Sequence, residues 1–134
     1  SQFYEVLDRE GPQYNRRTIY RMIIRSGRHR LLDAFDCPDP SATAPKRSRT
    51  TTPLQSLSLL NHPFTIRMSG HFAHRVRNEV GQHPTDQVTR AVQLAWFRLP
   101  TREESEIFTT FVKEHDLEAL CRALINSNEF LYVD

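Results

Sequence analysis

Three carboxylates recur at every third position, Asp33, Asp36 and Asp39, around Phe35 and Pro38. Acids gathered on one loop can hold Ca²⁺, which takes six to eight oxygen ligands, and such a site would suit a metal-dependent enzyme. The EF-hand spacing is absent, however, no glycine supplies its sharp turn, and Lys46, Arg47 and Arg49 follow closely. The competing reading is a structural charge network. In it Asp33, Asp36, Asp39, Arg47 and Arg49 tie an irregular loop to the helix that begins at Pro53. His71 and His74 offer a second constellation, since an i, i+3 pair on a helix can share a metal, and His62 lies just before them. No acid sits among these histidines, and Phe72 and Val76 mark the buried face beside them. They read better as a solvated flank. Ser, Cys and His are all present, but there is no strand–turn–helix nucleophile elbow and no Gly-rich phosphate loop. The sequence thus assigns no catalytic residue, and it calls for no metal and no cofactor.

The segment from 16 to 30 has the greatest reach toward a partner. It carries six arginines and His29 without a single acid. Arg16, Arg17, Tyr20, Arg21, Arg25 and Arg28 form a candidate anion- or partner-binding set, in which guanidinium forks and an aromatic ring could contact a polyanion by charge and stacking. The opposing reading is intramolecular, with these arginines answered by Asp33, Asp36, Asp39 or by acids further along. Charge is distributed to suit it. Residues 1 to 78 hold 13 Lys/Arg against 6 Asp/Glu, a balance of +7, and residues 79 to 134 hold 5 against 10, a balance of −5; together they give the net +2.

The elements that must position these groups are mostly helical. Within 134 residues, 25% charged and 38% hydrophobic, a single domain with its own core is the expectation, built as a basic, partly irregular segment 1–49 on a helical bundle 50–134. Mean hydropathy is −0.58, and no apolar stretch is long enough to span a membrane. Cys37 and Cys121 lie in neither a CxxC nor a zinc spacing, and a disulfide and two free thiols both remain open.

Periodicity does not decide residues 16–25, which fit a helix with an arginine stripe or a strand. The β-branched and aromatic content favours a short strand. A helical turn near Leu31 to Phe35 then gives way to a loop broken by Pro38, Pro40 and Pro45. Thr52, Pro53 and Gln55 spell an N-cap, a first-turn proline and a capping box, with Leu54, Leu57 and Leu60 on one face. A second bundle helix carries Phe64, Met68, Phe72, Val76 and Val80 and stops at Gly81. Thr85 is expected to cap a third, with Val88, Val92, Ala95, Trp96 and Leu99 inward. Thr101 and Glu104 form another capping box, opening a fourth that buries Ile107, Phe108, Phe111 and Val112. Asp116 caps a fifth with Leu117, Leu120, Cys121, Leu124 and Ile125 inward, and the closing Phe130, Leu131 and Tyr132 are too apolar for a free tail. Short connections imply antiparallel neighbours.

Several stretches resemble one family. They are Arg16-Arg17-Thr18-Ile19-Tyr20, then Leu32-Asp33-Ala34-Phe35-Asp36-Cys37-Pro38-Asp39, then Thr50-Thr51-Thr52-Pro53-Leu54-Gln55-Ser56-Leu57 with Leu60-Asn61. The last is Leu124-Ile125-Asn126-Ser127-Asn128-Glu129-Phe130-Leu131-Tyr132-Val133-Asp134. Together the chain resembles the C-terminal part of the planctomycete-type PSD domain family, domain of unknown function 1553. It departs at Ser56, His62 and Arg67, where the family usually shows Ala, Asp and a more acidic region. The resemblance implies a module near the end of a larger secreted bacterial protein, often with a cytochrome-c-like domain upstream, and hence an extracytoplasmic location. The expectation is a mostly α, antiparallel helical bundle whose basic N-terminal segment adds one or two short strands. It acts as a non-catalytic interaction or scaffolding module docked on the upstream domains of its own chain. The alternatives are an acidic or sulfated glycan surface built on residues 16–30, which the secreted context favours over nucleic acid, and the metal-dependent enzyme of the Asp33/Asp36/Asp39 loop.

Overall fold

The computed structural model describes residues 9, 11–14, 16–20, 30–38, 42–46, 50 and 52–132. Contacts divide the chain into two compact units, Ser1–Ser58 and Leu59–Asp134.

In the first unit, 3₁₀ turns form at Pro12–Tyr14 and Thr18–Tyr20, followed by the five-residue helix α1 (Arg30–Ala34). The strand expected over 16–25 is not formed at Thr18–Tyr20, where the Tyr20 N–H instead donates to the Arg17 carbonyl at 2.9 Å. β-branched and aromatic residues favour strands because a pleated, half-buried surface packs them. Tyr20 is 71% exposed and gains no such packing. Residues 21–25 lie outside the described residues. No strand occurs among the described residues, and the fold is mostly α. At α2 (Pro53–Asn61) the predicted start is seen in full. The Thr52 N–H donates to Gln55 Oε1 at 3.1 Å, and the Gln55 N–H returns to Thr52 Oγ1 at 3.3 Å. Leu54 and Leu57, expected on a packed face, are both exposed.

The second unit is a bundle of α3 (Pro63–Val80), α4 (Pro84–Trp96), α5 (Arg102–Glu114), α6 (Leu117–Ile125) and the single turn α7 (Asn128–Leu131). Each helix start has a physical cause. His62 Nδ1 accepts from the Phe64 N–H ahead of Pro63, so this histidine serves as an N-cap. Thr101 and Glu104 form the predicted reciprocal box. Asp116 Oδ1 accepts from Ala119, and Ser127 Oγ accepts from Phe130. At α4 the expectation fails by two residues. Pro84, whose φ is already preset, occupies the first turn, and His83 is the cap residue, so Thr85 lies inside the helix. Gly81 ends α3 at φ 79, a conformation that suits glycine.

α3 packs chiefly on α6, α4 packs on α3 and α5, and α7 touches α4 and α6. The core is Ala73 and Val76 of α3, Val88, Ala91, Val92 and Ala95 of α4, and Leu117, Leu120, Cys121 and Leu124 of α6. Phe108, Phe111 and Val112 of α5 cover it from the side. Fully burying a Leu or Val is worth roughly 1.5–3 kcal/mol, so this apolar seam is the main source of cohesion in the unit. Three expected core residues of this unit are exposed. Ile107 falls one helix position beyond the Phe108–Val112 row and is 64% exposed. Leu99 follows the end of α4, where the chain has turned away, and is 65% exposed. Phe64, which opens the α3 row, is also exposed.

Candidate functional site

The sequence-derived candidates separate in space. Arg16, Arg17 and Tyr20 are exposed side by side on the second 3₁₀ turn and the two residues before it, whereas Arg21, Arg25 and Arg28 lie outside the described residues. Nearby, Arg9 hydrogen-bonds the Tyr14 hydroxyl and, with Gln13, holds its pKa below the ordinary tyrosine value. Of the acidic loop, Asp33 is exposed on α1. Asp36 sits just after α1 at φ 57, a left-handed conformation that aspartate tolerates better than most residues. Its carboxylate accepts from the Thr50 N–H at 2.6 Å and from Thr50 Oγ1 at 2.8 and 3.0 Å, and Gln55 Nε2 donates to the same hydroxyl at 3.0 Å. Asp36 thus holds the far end of the proline-broken loop against the start of α2. Asp39, Arg47 and Arg49 are outside the described residues.

His71 and His74 are both exposed on α3. His74 Nδ1 lies 3.2 Å from Asn78 Nδ2. Among the described residues no three His, Cys, Asp or Glu side chains come together in a way that could hold a metal. Both cysteines are free thiols, and burial pushes Cys121 up to about 12. No helix of the described residues is long and apolar enough to cross a membrane.

The most organised polar cluster surrounds Arg98, a residue that no motif in the sequence singles out. All five of its N–H donors are used. Nη1 and Nη2 bind both oxygens of Glu104 at 2.8 Å, Nε and Nη2 bind Glu129 at 2.7 and 3.0 Å, and Nη1 also reaches the Leu99 carbonyl at 3.1 Å. The guanidinium lies 4.9 Å over the Trp96 ring. Trp96 Nε1 donates to Ser127 Oγ at 2.8 Å, and that hydroxyl donates to the Leu124 carbonyl at 2.6 Å. One fork therefore joins the end of α4, the start of α5 and α7. The two carboxylates hold Arg98 protonated well above its ordinary value, and Arg98 brings Glu104 down to about 2.

Around this clamp lies an apolar edge. Phe97 and Leu99 flank Arg98, and Phe130, Leu131 and Tyr132 follow Glu129; all five are exposed. Phe97 is the extreme case. It ends α4 in the left-handed conformation, φ 57 and ψ 22, and is 91% exposed. A left-handed L-residue costs roughly 1–2 kcal/mol, and glycine normally fills such a C-cap at less cost. A bulky aromatic here is strained and buries almost nothing. Sequence periodicity could not find it. The available signal was the Trp96-Phe97-Arg98-Leu99-Pro100 run between two capped helices, where a loop is rich in apolar residues.

A family model matches residues 2–112. The chain belongs to the PSD1 family, proteins of unknown function (DUF1553). The PSD1 match takes in the stretches 16–20, 32–39 and 50–61 on which the resemblance rests. It ends before α6 and α7, so the resemblance of residues 124–134 lies beyond it. No curated protein and no solved structure is similar enough to the chain to match.

Proposed function

We propose that this chain is a non-catalytic interaction module of a larger secreted bacterial protein, docking on the upstream domains of its own polypeptide through the edge formed by Phe97, Leu99, Phe130, Leu131 and Tyr132. The observation that carries the reading is Phe97. Backbone strain persists where the surroundings enforce it, and it concentrates at sites of function. Here the adjoining Trp96 and Arg98 are fixed by the clamp, while the strained residue contributes to no core. Aromatic side chains are also frequent anchors in protein interfaces, because they bury much area with few torsions to freeze. The secreted setting and the upstream partner follow from the family resemblance.

The test is coexpression of this chain with the preceding part of the full-length protein as separate polypeptides. Wild type should copurify. A Phe97→Asp, Tyr132→Asp variant should keep its helical circular dichroism and elute alone. Wild type that fails to copurify, or a variant that binds as before, overturns the reading.

A second reading draws on the exposure of Arg16, Arg17 and Tyr20, which suits an acidic or sulfated glycan. Retention on heparin that falls in an Arg16→Ala, Arg17→Ala variant supports it, and elution of wild type at low salt rejects it.

A further inference from the structure

Seven glutamates lie on the helices from α3 to α7, and five of them hold a cation. Glu79 binds Arg75 and Arg90, Glu104 and Glu129 share Arg98, Glu106 binds Arg102, and Glu118 binds Arg77. Glu103 and Glu114 are the exceptions, making no ion pair with any residue among those described. Both lie on α5 and project from the face that carries the exposed Ile107. Glu103 is one turn before Ile107 and Glu114 two turns after it, the spacing that lines residues along one side of a helix. Between them a shallow groove is lined by Glu106, Ile107, Thr110, Phe111 and Glu114. Beside it the Phe111 ring meets His115 at a tilt of 48°, with ring centroids 4.6 Å apart. The cations of α5, Arg102 and Lys113, follow the Glu106 edge, about a quarter of the circumference away from the Glu103–Glu114 row.

We infer that this face of α5 takes a cationic amphipathic helix of another polypeptide, with an apolar residue against Ile107 and Phe111 and basic residues at Glu103 and Glu114. Charge complementarity selects the occupant. Elsewhere on these helices the glutamates are answered within the chain, and here two carboxylates bracket an exposed apolar side chain with no cation to answer them among the described residues. Their separation of eleven residues, about 16 Å at 1.5 Å per residue, sets the spacing of the partner's cations at about three helical turns. Helix-in-groove recognition works through this combination of apolar anchors and flanking charge. The surface is distinct from the Phe97 edge, so either can fail without the other.

The test uses a fluorescein-labelled Leu/Lys amphipathic helix and a scrambled peptide of the same composition, titrated against the whole chain by anisotropy. Amide chemical-shift mapping reads the site. The amphipathic peptide should bind, shift residues of α5 between Glu103 and Glu114, and weaken as salt rises. Ile107→Asp should weaken binding at least about tenfold, the scale of an interface anchor, although it adds an acid. Glu103→Gln with Glu114→Gln should flatten the salt dependence. Both positions are exposed, so the variants should retain the wild-type amide spectrum away from α5. Equal binding of the scrambled peptide, shifts centred elsewhere, or no binding overturns the inference. So does a dimer in sedimentation that Ile107→Asp abolishes, because a second copy would then be the occupant.

Discussion

Arg98 and Glu129 meet 31 residues apart in the chain through two parallel hydrogen bonds, Nε to Oε1 at 2.7 Å and Nη2 to Oε2 at 3.0 Å. This pairing holds the single turn α7 to the end of α4. A four-residue helix cannot persist on its own backbone bonds, because nucleation costs more than one turn returns. Ser127 and Arg98 supply what the turn lacks.

That dependence gives the first prediction. Lysine at 98 keeps the charge but cannot present a fork to two carboxylates. Arg98→Lys should destabilise the bundle by about 1 kcal/mol, since charge-assisted bonds are strong but this pair is partly exposed. The effect should concentrate at the end of the chain. Hydrogen exchange at the Phe130, Leu131 and Tyr132 amides, which bond back to Ser127 and Asn128, should quicken well before the α4 core amides do. Uniform loss of protection across all helices would contradict it.

The same arginine makes stability depend on acid. Glu104 has its pKa lowered to about 2 by the Arg98 side chain and then by the Thr101 N–H, from an unfolded value near 4.5. Between those values the unfolded chain binds more protons than the folded one, so stability rises with pH there. The contribution is complete above about pH 5 and is lost as the pH falls toward 2. Thermal unfolding of Glu104→Gln should therefore show a flatter pH dependence than wild type over this window, measured as Tm in steps from pH 5 to 2. Parallel curves would remove Glu104 from the acid response.

Helix starts provide a sharper comparison, because the capping boxes were legible and one cap was not. Thr101→Ala removes a hydroxyl that accepts from the Glu104 N–H and should cost about 1 kcal/mol. Thr85→Ala should change Tm little, since its residue lies inside α4 and the helix start depends on Pro84. Equal losses at the two positions would mean that the start of α4 is misassigned.

Local signals account for what could be read in advance. Thr52 with Gln55, Thr101 with Glu104, Asp116 and Gly81 act within a few residues, and the Val88, Val92 and Leu117, Leu120, Leu124 spacings directly report a buried stripe. A stripe does not say where its edge falls, so Ile107 and Leu99 read as inward by spacing and are exposed in the fold. Arg98 is not legible in the sequence for a different reason. Its partners stand 6 and 31 positions away, and only the packing of α7 on α4 brings Glu129 to it. Asp36 shows the same limit: its acid was singled out in the sequence, but Thr50 as partner depends on the path of the loop between them. At residues 18–20 β propensity points to a strand, and a 3₁₀ turn forms because nothing among the described residues packs Tyr20.

The two thiols should differ in reactivity. Thiolate is the reactive form, and burial in the α3–α4–α6 core pushes Cys121 up to about 12. At pH 8 a thiol reagent such as Ellman's should titrate Cys37, which is half-buried, and leave Cys121 unreacted until denaturant opens the bundle. A second thiol released at the native rate would show that the core opens more readily than its packing implies.

The last prediction separates stability from function at Phe97. Its left-handed backbone costs roughly 1–2 kcal/mol for a residue with a Cβ, and its ring, 91% exposed, returns almost no burial. Phe97→Gly fits that backbone at less cost, although glycine also gains freedom in the unfolded chain. The variant should thus unfold at the same temperature as wild type or higher, and it should lose the ability to copurify with the upstream polypeptide. This pattern, a substitution that relieves strain and removes binding, is what a residue retained for contact produces. If Phe97→Gly instead lowers Tm by several degrees and leaves copurification intact, the ring is supporting the α4–α5 turn, and the docking edge has to be sought elsewhere on the bundle.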